Sequence, residues 1–376
     1  MSEAGSAIVL SERQRFAWVR LIRSENVGPV GFRALVNRFG GAEAALDALP
    51  ELAARGGAKR RIAVADVAAI EAEFATAARM KARFVCLGEA DYPKALAAME
   101  AAPPVLAVMG EIATLHRSCV AIVGARNASL SGIKFAKSIA QELGRADFCI
   151  VSGVARGIDA AAHEAALETG TAGVFAGGLD KPYPNENRPL MRRIVDGGGC
   201  LLTEMPFGWT PRAIDFPRRN RIVAGLSLGL LVVEAARRSG SLISARLAGE
   251  MGRLVFAVPG SPLDPRAGGP NGLIKDGAIL VTEAADVIEA IRPLDGRAPS
   301  APFAQFDEAD TALPDEDIAE DQRARIIEAL GPSPVTVDDL VDHIGAGAGA
   351  VQLVLLELTL AGRLERHPGG RVSLSA

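Results

Sequence analysis

Residues 148–163 read Phe148-Cys149-Ile150-Val151-Ser152-Gly153-Val154-Ala155-Arg156-Gly157-Ile158-Asp159-Ala160-Ala161-Ala162-His163. The run Phe148–Ser152 has the length and apolar character of a buried strand. A small, glycine-rich turn follows, and the pattern from Asp159 to Glu168 is helical. A strand with no polar face must be covered on both faces, which marks the interior of a parallel sheet.

The same unit recurs on either side. Strands are predicted at Val120–Val123, Ala172–Ala176, Cys200–Thr203, Leu228–Val233, Leu254–Val258 and Ile279–Val281. Helices are predicted between most of them, at Gly132–Leu143, Glu186–Val195, Asn220–Leu226 and Ser241–Met251. Alternating short strands and helices give an α/β fold with a Rossmann-like parallel sheet core, placed at residues 83–292. In an open α/β sheet the loops that leave the strands share one edge, and ligands bind there.

Those loops carry one chemistry. The first holds Gly124 and Arg126, and the second Ser152, Gly153, Arg156 and Gly157. The third is Gly177-Gly178-Leu179-Asp180-Lys181-Pro182-Tyr183-Pro184. Later ones hold Ser239, Gly240 and Ser241, then Pro259-Gly260 leading to Lys275. Glycine lets the backbone approach an anion, serine adds hydroxyl donors, and arginine grips phosphate with two parallel bonds. Exposed amides at helix starts favour negative charge as well. The pattern therefore predicts an amide-lined, cationic trough for a polyanion or a nucleotide. Phe216-Pro217-Arg218-Arg219-Asn220-Arg221 adds three arginines where a helix is predicted to begin. Cations oppose the helix dipole there, so an anionic partner, or an ion pair with Glu204 or Glu234, is expected to relieve them.

Several chemistries lack their signatures. The first loop, Gly-Ala-Arg-Asn-Ala-Ser, is not the GxGxxG of dinucleotide folds, and no P-loop occurs. Ser152 lacks the surroundings of a nucleophile elbow. His163 reads as a packed histidine, and Asp159, Glu204 and Glu234 as residues that orient cations or cap helices. No catalytic residue and no cofactor is expected. Four cysteines and four histidines are dispersed without metal-ligand spacing, so no metal site is expected either.

The outer segments differ. Residues 1–82 read as a small helical module of the helix-hairpin-helix or SAM-like kind. Ser11 is placed to cap one helix, and Asn26-Val-Gly-Pro-Val-Gly31 lies before the next. Residues 293–318 read as an acidic Pro/Ala-rich linker, and residues 319–376 as a winged helix. Helices there are predicted at Asp321–Leu330, from Thr336 and at about Gly349–Ala361, with a β-wing over Leu364–Leu374. The third of these is mostly apolar, which suits protein contact better than base reading. Net charge is −4, yet residues 307–321 hold eight acids and no Lys or Arg, so the rest of the chain carries +4. The widely spaced cysteines fit a reducing cytosol, and neither a secretory leader nor a membrane span is expected.

Taken in order, IVGARNAS, VSGVARGIDAAAH, GGLDKPYPNEN, LLTEMPFG, FPRRNRIVAGLS, VVEAARRSGSLISARLA, FAVPGSPLD and GGPNGLIKDGA resemble the DprA/Smf family of DNA-processing proteins. The likeness covers about 85–291. Ala125 stands where the family often has serine, which removes one hydroxyl donor. The resemblance implies a cytoplasmic, non-catalytic protein that binds and protects single-stranded DNA during natural transformation and loads the RecA recombinase. It further implies a single-strand-binding protein as partner and homodimerisation through the Rossmann-like domain. Carried over by motif, DNA contacts fall on Gly124, Arg126, Ser152, Gly153, Arg156, Gly157 and Lys181. Arg218, Arg219, Asn220, Arg221, Ser239, Gly240, Ser241 and Lys275 support them. Two competing readings are a nucleotide-processing enzyme of the phosphoribohydrolase type and a small-ligand sensor signalling through the winged helix. The first lacks its PGGxGTxxE-like loop, since the comparable stretch is Glu234-Ala-Ala-Arg-Arg-Ser-Gly-Ser-Leu.

Overall fold

A computed structural model describes residues 7–294, 318–345, 347–367 and 369–375. The stretch expected to be a linker lies almost wholly outside them. The described chain forms two compact units, residues 9–71 with 318–375, and residues 7–8 with 72–294.

The first unit opens with α1 (Glu12–Arg23), α2 (Pro29–Phe39) and α3 (Ala42–Arg55). Ser11 and Gln14 form a capping box at α1. The Ser11 hydroxyl accepts from the Gln14 N–H at 3.2 Å, and Gln14 Oε1 accepts from the Ser11 N–H at 2.9 Å. Gly40 closes α2 in the left-handed conformation at φ 74°. Trp18 and Phe32, both fully buried, meet edge to face with centroids 4.9 Å apart.

The second unit is built on a nine-stranded sheet. The chain enters it within α4 (Val67–Arg79), whose first five residues belong to the first unit, and runs through β1 (Ala82–Cys86), α5 (Lys94–Ala97), β2 (Val105–Gly110), β3 (Cys119–Val123), α6 (Leu130–Arg145), β4 (Cys149–Ser152) and α7 (Ile158–Ala165). Next come β5 (Thr171–Val174), α8 (Arg188–Asp196), β6 (Cys200–Thr203), α9 (Asp215–Gly225), β7 (Gly229–Val232) and α10 (Gly240–Glu250). The last elements are β8 (Leu254–Ala257), α11 (Gly268–Lys275), β9 (Ile279–Leu280) and α12 (Ala284–Ile291). Strand order is β1-β2-β6-β5-β4-β3-β7-β8-β9. The seven strands from β6 to β9 are parallel. Their side chains in β3, β4 and β7 are wholly buried, as the apolar runs require.

Two differences from expectation have physical causes. The sheet is mixed, because β2 pairs antiparallel with β6, and β1 with β2. Antiparallel neighbours need no crossover helix. Residues 87–104 carry Gly88, Pro93, Pro103 and Pro104 and only the four-residue α5, so they lack the helical period that flagged the other strands. The other difference is in α9, which begins at Asp215, five residues before the predicted Asn220. Asp215 supplies the acidic first turn, so the arginines do not crowd the positive pole as expected.

The chain returns to the first unit with α13 (Glu320–Glu328), β10 (Val335–Thr336), α14 (Val337–Ile344), α15 (Ala348–Leu360), β11 (Leu364–His367) and β12 (Arg371–Leu374). Three helices and a three-stranded sheet of order β10-β12-β11 make the winged helix. Thr336 caps α14 by accepting from the Asp339 N–H at 3.1 Å. α15 packs on α3: a Cβ at Gly56 would overlap the Glu357 carbonyl, and Arg363 Nη1 donates to Gly56 O at 3.0 Å. Asn26 Nδ2 donates to Leu360 O at 3.0 Å. The helix that reads bases in other winged helices is here part of a core shared with the N-terminal helices. No described helix is long and apolar enough to cross a membrane.

Candidate nucleic-acid interface

β3 is the switch point of the parallel sheet, since β4 lies on one side of it and β7 on the other. The loops after β3 and β7 diverge there and leave a crevice. A cleft of about 580 Å³ occupies it, and a second of about 480 Å³ adjoins. Arg126, Asn127, Gly153, Ala155, Phe216 and Arg219 line both, so the two form one trough.

The amides at its edge are used by the protein itself. Glu234, after β7, turns its carboxylate to the start of α6. There it accepts from the Ser129 N–H at 2.9 Å and the Ser129 hydroxyl at 2.5 Å. Gly132 must lack a Cβ, which would stand 2.6 Å from Glu234 Oε1. A dinucleotide fold puts pyrophosphate at the start of its first crossover helix; here a resident carboxylate holds that position. Asp159 does the same for the second loop, accepting from the Gly153 N–H at 3.2 Å and the Ala155 N–H at 3.3 Å. Three amides of the expected cradle, those of Ser129, Gly153 and Ala155, are thus satisfied from within. Side chains carry the positive charge that attracts an anion.

The second loop is strained and clamped. Val154, a β-branched residue, sits at φ 56°, in the left-handed region that such side chains avoid. Asn187 holds it there, its Nδ2 donating to Val154 O at 2.9 Å and Ala155 O at 3.0 Å. Beneath the loop lies Arg219, buried and bonded through Nη1 to Val174 O at 2.8 Å. Its guanidinium lies against Gly153, where a Cβ would come within 2.7 Å of Nη2. Burial, together with the charge of Arg126, lowers the Arg219 pKa to about 10, which still leaves it cationic at neutral pH. Burial likewise raises the Asp159 carboxyl, against the pull of Arg219.

The trough is cationic. Arg126, Arg219, Arg238 and Arg266 line the larger cleft, and Asp159 is its one carboxylate. Arg126 is exposed and lies 5.2 Å from the centre of the Phe216 ring. Tyr183 completes an aromatic wall, its ring 5.7 Å from Phe216. Arg156 lines the smaller cleft and pairs at 2.7 Å with Glu186, both well exposed, a bond that a phosphate can exchange at little cost.

The predicted residues divide accordingly. Gly124, Arg126, Gly153, Arg156, Arg219, Asn220, Ser239, Gly240 and Ser241 line the trough. Lys181 lies outside both clefts, half exposed, on the loop that supplies Tyr183. Arg218 is exposed on α9 outside them. Four expectations need correction. The Ser152 hydroxyl is buried and donates to Ile122 O at 2.6 Å. Gly157 lies behind the lining, against the first loop. Arg221 turns away to Glu204 and to Ala101 O, which realises the ion pair anticipated for this segment. Lys275 lines a separate hollow beside Arg237. Asn127, Arg238 and Arg266 join the trough without having been singled out. Arg238 directly precedes Ser239, and strand order alone brings Arg266 to the same place.

His163 is buried, with Nδ1 2.7 Å from the Thr171 hydroxyl. Thr171 donates to Ile150 O at 2.6 Å, so the network assigns the ring proton to Nδ1. Burial, and secondarily Arg219, lowers its pKa to about 3. A depressed value means stability that is complete above pH 6.5 and is lost as pH falls toward 3. Between pH 7 and pH 5 the loss is about 2 kcal/mol. Urea midpoints at the two pH values should show it in wild type, and His163→Leu should remove most of the difference.

Residues 83–292, more than half of the chain, match the family model described as DNA recombination-mediator protein A. The chain belongs to the DprA/Smf family. Residues 12–76 match the DprA-like N-terminal HHH domain, and residues 309–370 the DprA winged helix domain. Protein Smf of Escherichia coli K12 is 40% identical over 288 residues, 75% of each chain. The DNA processing protein DprA of Bacillus subtilis is 41% identical over 203 residues, 53% of this chain and 68% of its own. DprA of Streptococcus pneumoniae superposes with a TM-score of 0.58 at 33% identity, covering 75% of this chain and 98% of that one. DprA of Helicobacter pylori, whose structure concerns a single-stranded DNA binding mode, gives 0.52 at 29% identity over 57% and 97% of the two chains. In this chain the arginine-lined crevice lies at the switch point of the sheet, a position where open α/β sheets commonly bind ligands.

Proposed function

We propose that the trough binds single-stranded DNA by its phosphate backbone and carries out no covalent chemistry on it. The observation behind this reading is the division of labour at the sheet edge. Resident carboxylates take the amides of Ser129, Gly153 and Ala155, and Arg126, Arg156 and Arg238 remain as exposed cations beside Tyr183 and Phe216. His163 is sealed away from the trough, so the one histidine near the crevice is no general base. The Helicobacter pylori relative is described as a single-stranded DNA binder, which supports the same reading.

Phosphate contacts fall on Arg126, Arg156, Arg238 and Asn220, with Ser239 and Ser241 at the start of α10 and Lys181 at the rim. Family membership supports the wider role, in which the protein protects incoming strands in the cytoplasm, dimerises through the sheet unit and loads RecA. Fluorescence anisotropy with single- and double-stranded oligonucleotides tests the core of it. Arg126→Ala and Lys181→Ala should each weaken single-strand binding by about 1–3 kcal/mol, or roughly 5- to 150-fold. Log affinity should fall with log salt at about 0.7 per phosphate neutralised. Affinity that stays level from low to moderate salt, or nucleotide turnover by the pure protein, would overturn the proposal.

A further inference from the structure

Next to the trough, the loop between β6 and α9 carries an arrangement that the trough does not use. The Arg212 guanidinium carbon lies 4.4 Å from the centre of the Trp209 indole. Both side chains are tied to one buried carboxylate. Asp215 Oδ2 accepts from Trp209 Nε1 at 2.9 Å and from the Arg212 N–H at 2.8 Å, with Arg212 Nε at 3.4 Å. Among the described residues, the terminal nitrogens of Arg212 make no hydrogen bond, and its side chain is 58% exposed. Beside it Ile214 is 62% exposed.

The loop is anchored to the loop that carries Lys181 and Tyr183. Gly178 N–H donates to Trp209 O at 3.0 Å, and Gly208 N–H to Asp180 Oδ1 at 2.8 Å. Asp215 and Phe216 are consecutive in the first turn of α9: one holds the indole and guanidinium, the other lines the trough. Arg218, exposed three residues beyond Asp215, belongs to the same side of the helix.

Asp215 is buried, but the Arg212 end of the pair is solvent-exposed and its Nε bond is long at 3.4 Å, so this contact contributes little to stability. One bond from Nε and a ring fixed by the same carboxylate hold the guanidinium open to solvent, which is better suited to a partner, because part of the cost of ordering that side chain is met before binding. A flat cation with free N–H groups can stack a base on its open face and donate to the adjoining phosphate. We propose that Arg212, set over Trp209, is a second contact for single-stranded DNA, stacking a base of the strand as it leaves the trough past Tyr183. The proposal rests on the trough reading and extends it beyond the crevice.

Oligothymidylates of increasing length, titrated into the intact protein, provide the test. Binding is followed by anisotropy and contact by tryptophan emission. The chain has two tryptophans, and Trp18 is fully buried in the helical unit, so a change in emission reports Trp209. Short oligomers that fill only the trough should bind with little change. Longer ones should shift the emission, and Arg212→Gln should weaken them about 5-fold or more while leaving the short ones unaffected, as loss of one stacked base requires. Saturation by long oligomers without an emission change, or equal affinities of Arg212→Gln and wild type at every length, overturns the Arg212 contact and leaves the trough standing. Failure of wild type to bind at any length overturns both.

Discussion

Replacement of Arg323 by alanine is expected to destabilise the unit made of α1–α3 and the winged helix by about 3–5 kcal/mol. Arg323 on α13 grips Glu357 on α15 with two bonds, Nε to Oε2 at 3.0 Å and Nη2 to Oε1 at 3.3 Å. The Glu357 side chain is 1% exposed. Its hydrogen bond is the largest of the influences that raise the Arg323 pKa, ahead of burial, which opposes it. Without the guanidinium, a carboxylate is left charged and dry inside an otherwise apolar helix. Urea unfolding should show the loss directly. Trp18 emission should report it too, although Trp18 lies in α1, because α3 and α15 share a core and should melt together. Replacing both partners, Arg323→Met with Glu357→Leu, should recover most of the loss, since buried pairs often do no better than apolar residues of similar size. A single variant as stable as wild type, or a winged-helix transition that leaves Trp18 untouched, would refute the shared core.

Glu357 also shows where sequence reading stops. Within Ala350–Leu360 it is the one charge among leucines and valines, and nothing local names its partner 34 residues away. The parallel strands were legible because burial on both faces leaves a local mark, a short run without polar residues. The sheet-edge loops were legible because glycine, serine and arginine cluster after such runs. What stayed hidden depends on distances between loops. Sequence placed acids at the strand ends and suggested caps, but only the fold shows Asp159 taking the Gly153 amide expected to receive phosphate and Glu234 taking the amide of Ser129 at the start of α6. Arg221 is one of three arginines within four residues, and helical geometry sends it to Glu204 while Arg219 goes under Gly153 and Arg218 to solvent. β1 and β2 escaped because strands joined without a helix break the alternation on which the rest was read.

The seam between the first two loops should be the most sensitive part of the trough, and Gly157→Ala should show it. Gly157 has φ 73° and ψ −122°, a conformation that side chains exclude. A Cβ there would stand 2.8 Å from Arg126 O and closer still to Ala125 O. Both obstacles are backbone of the first loop, which cannot swing aside as a flexible side chain would. That loop is already held from the other side by Glu234 through Ser129, and Ile158 N–H donates to Ala125 O at 3.2 Å. The alanine must therefore open the seam and carry Arg126 with it. We expect a loss of at least about 3 kcal/mol in urea unfolding, with backbone strain alone supplying about 1–3 of it. Single-strand affinity should fall at least as far as in Arg126→Ala, even where circular dichroism shows the protein folded. Gly252→Ala is the control, since Gly252 has φ 68° with nothing within 4 Å of the added carbon, so it carries strain without collision and should cost about 1–2 kcal/mol. If the two variants unfold alike and Gly157→Ala keeps its affinity, the apposition of the two loops is not what sets Arg126 in the trough.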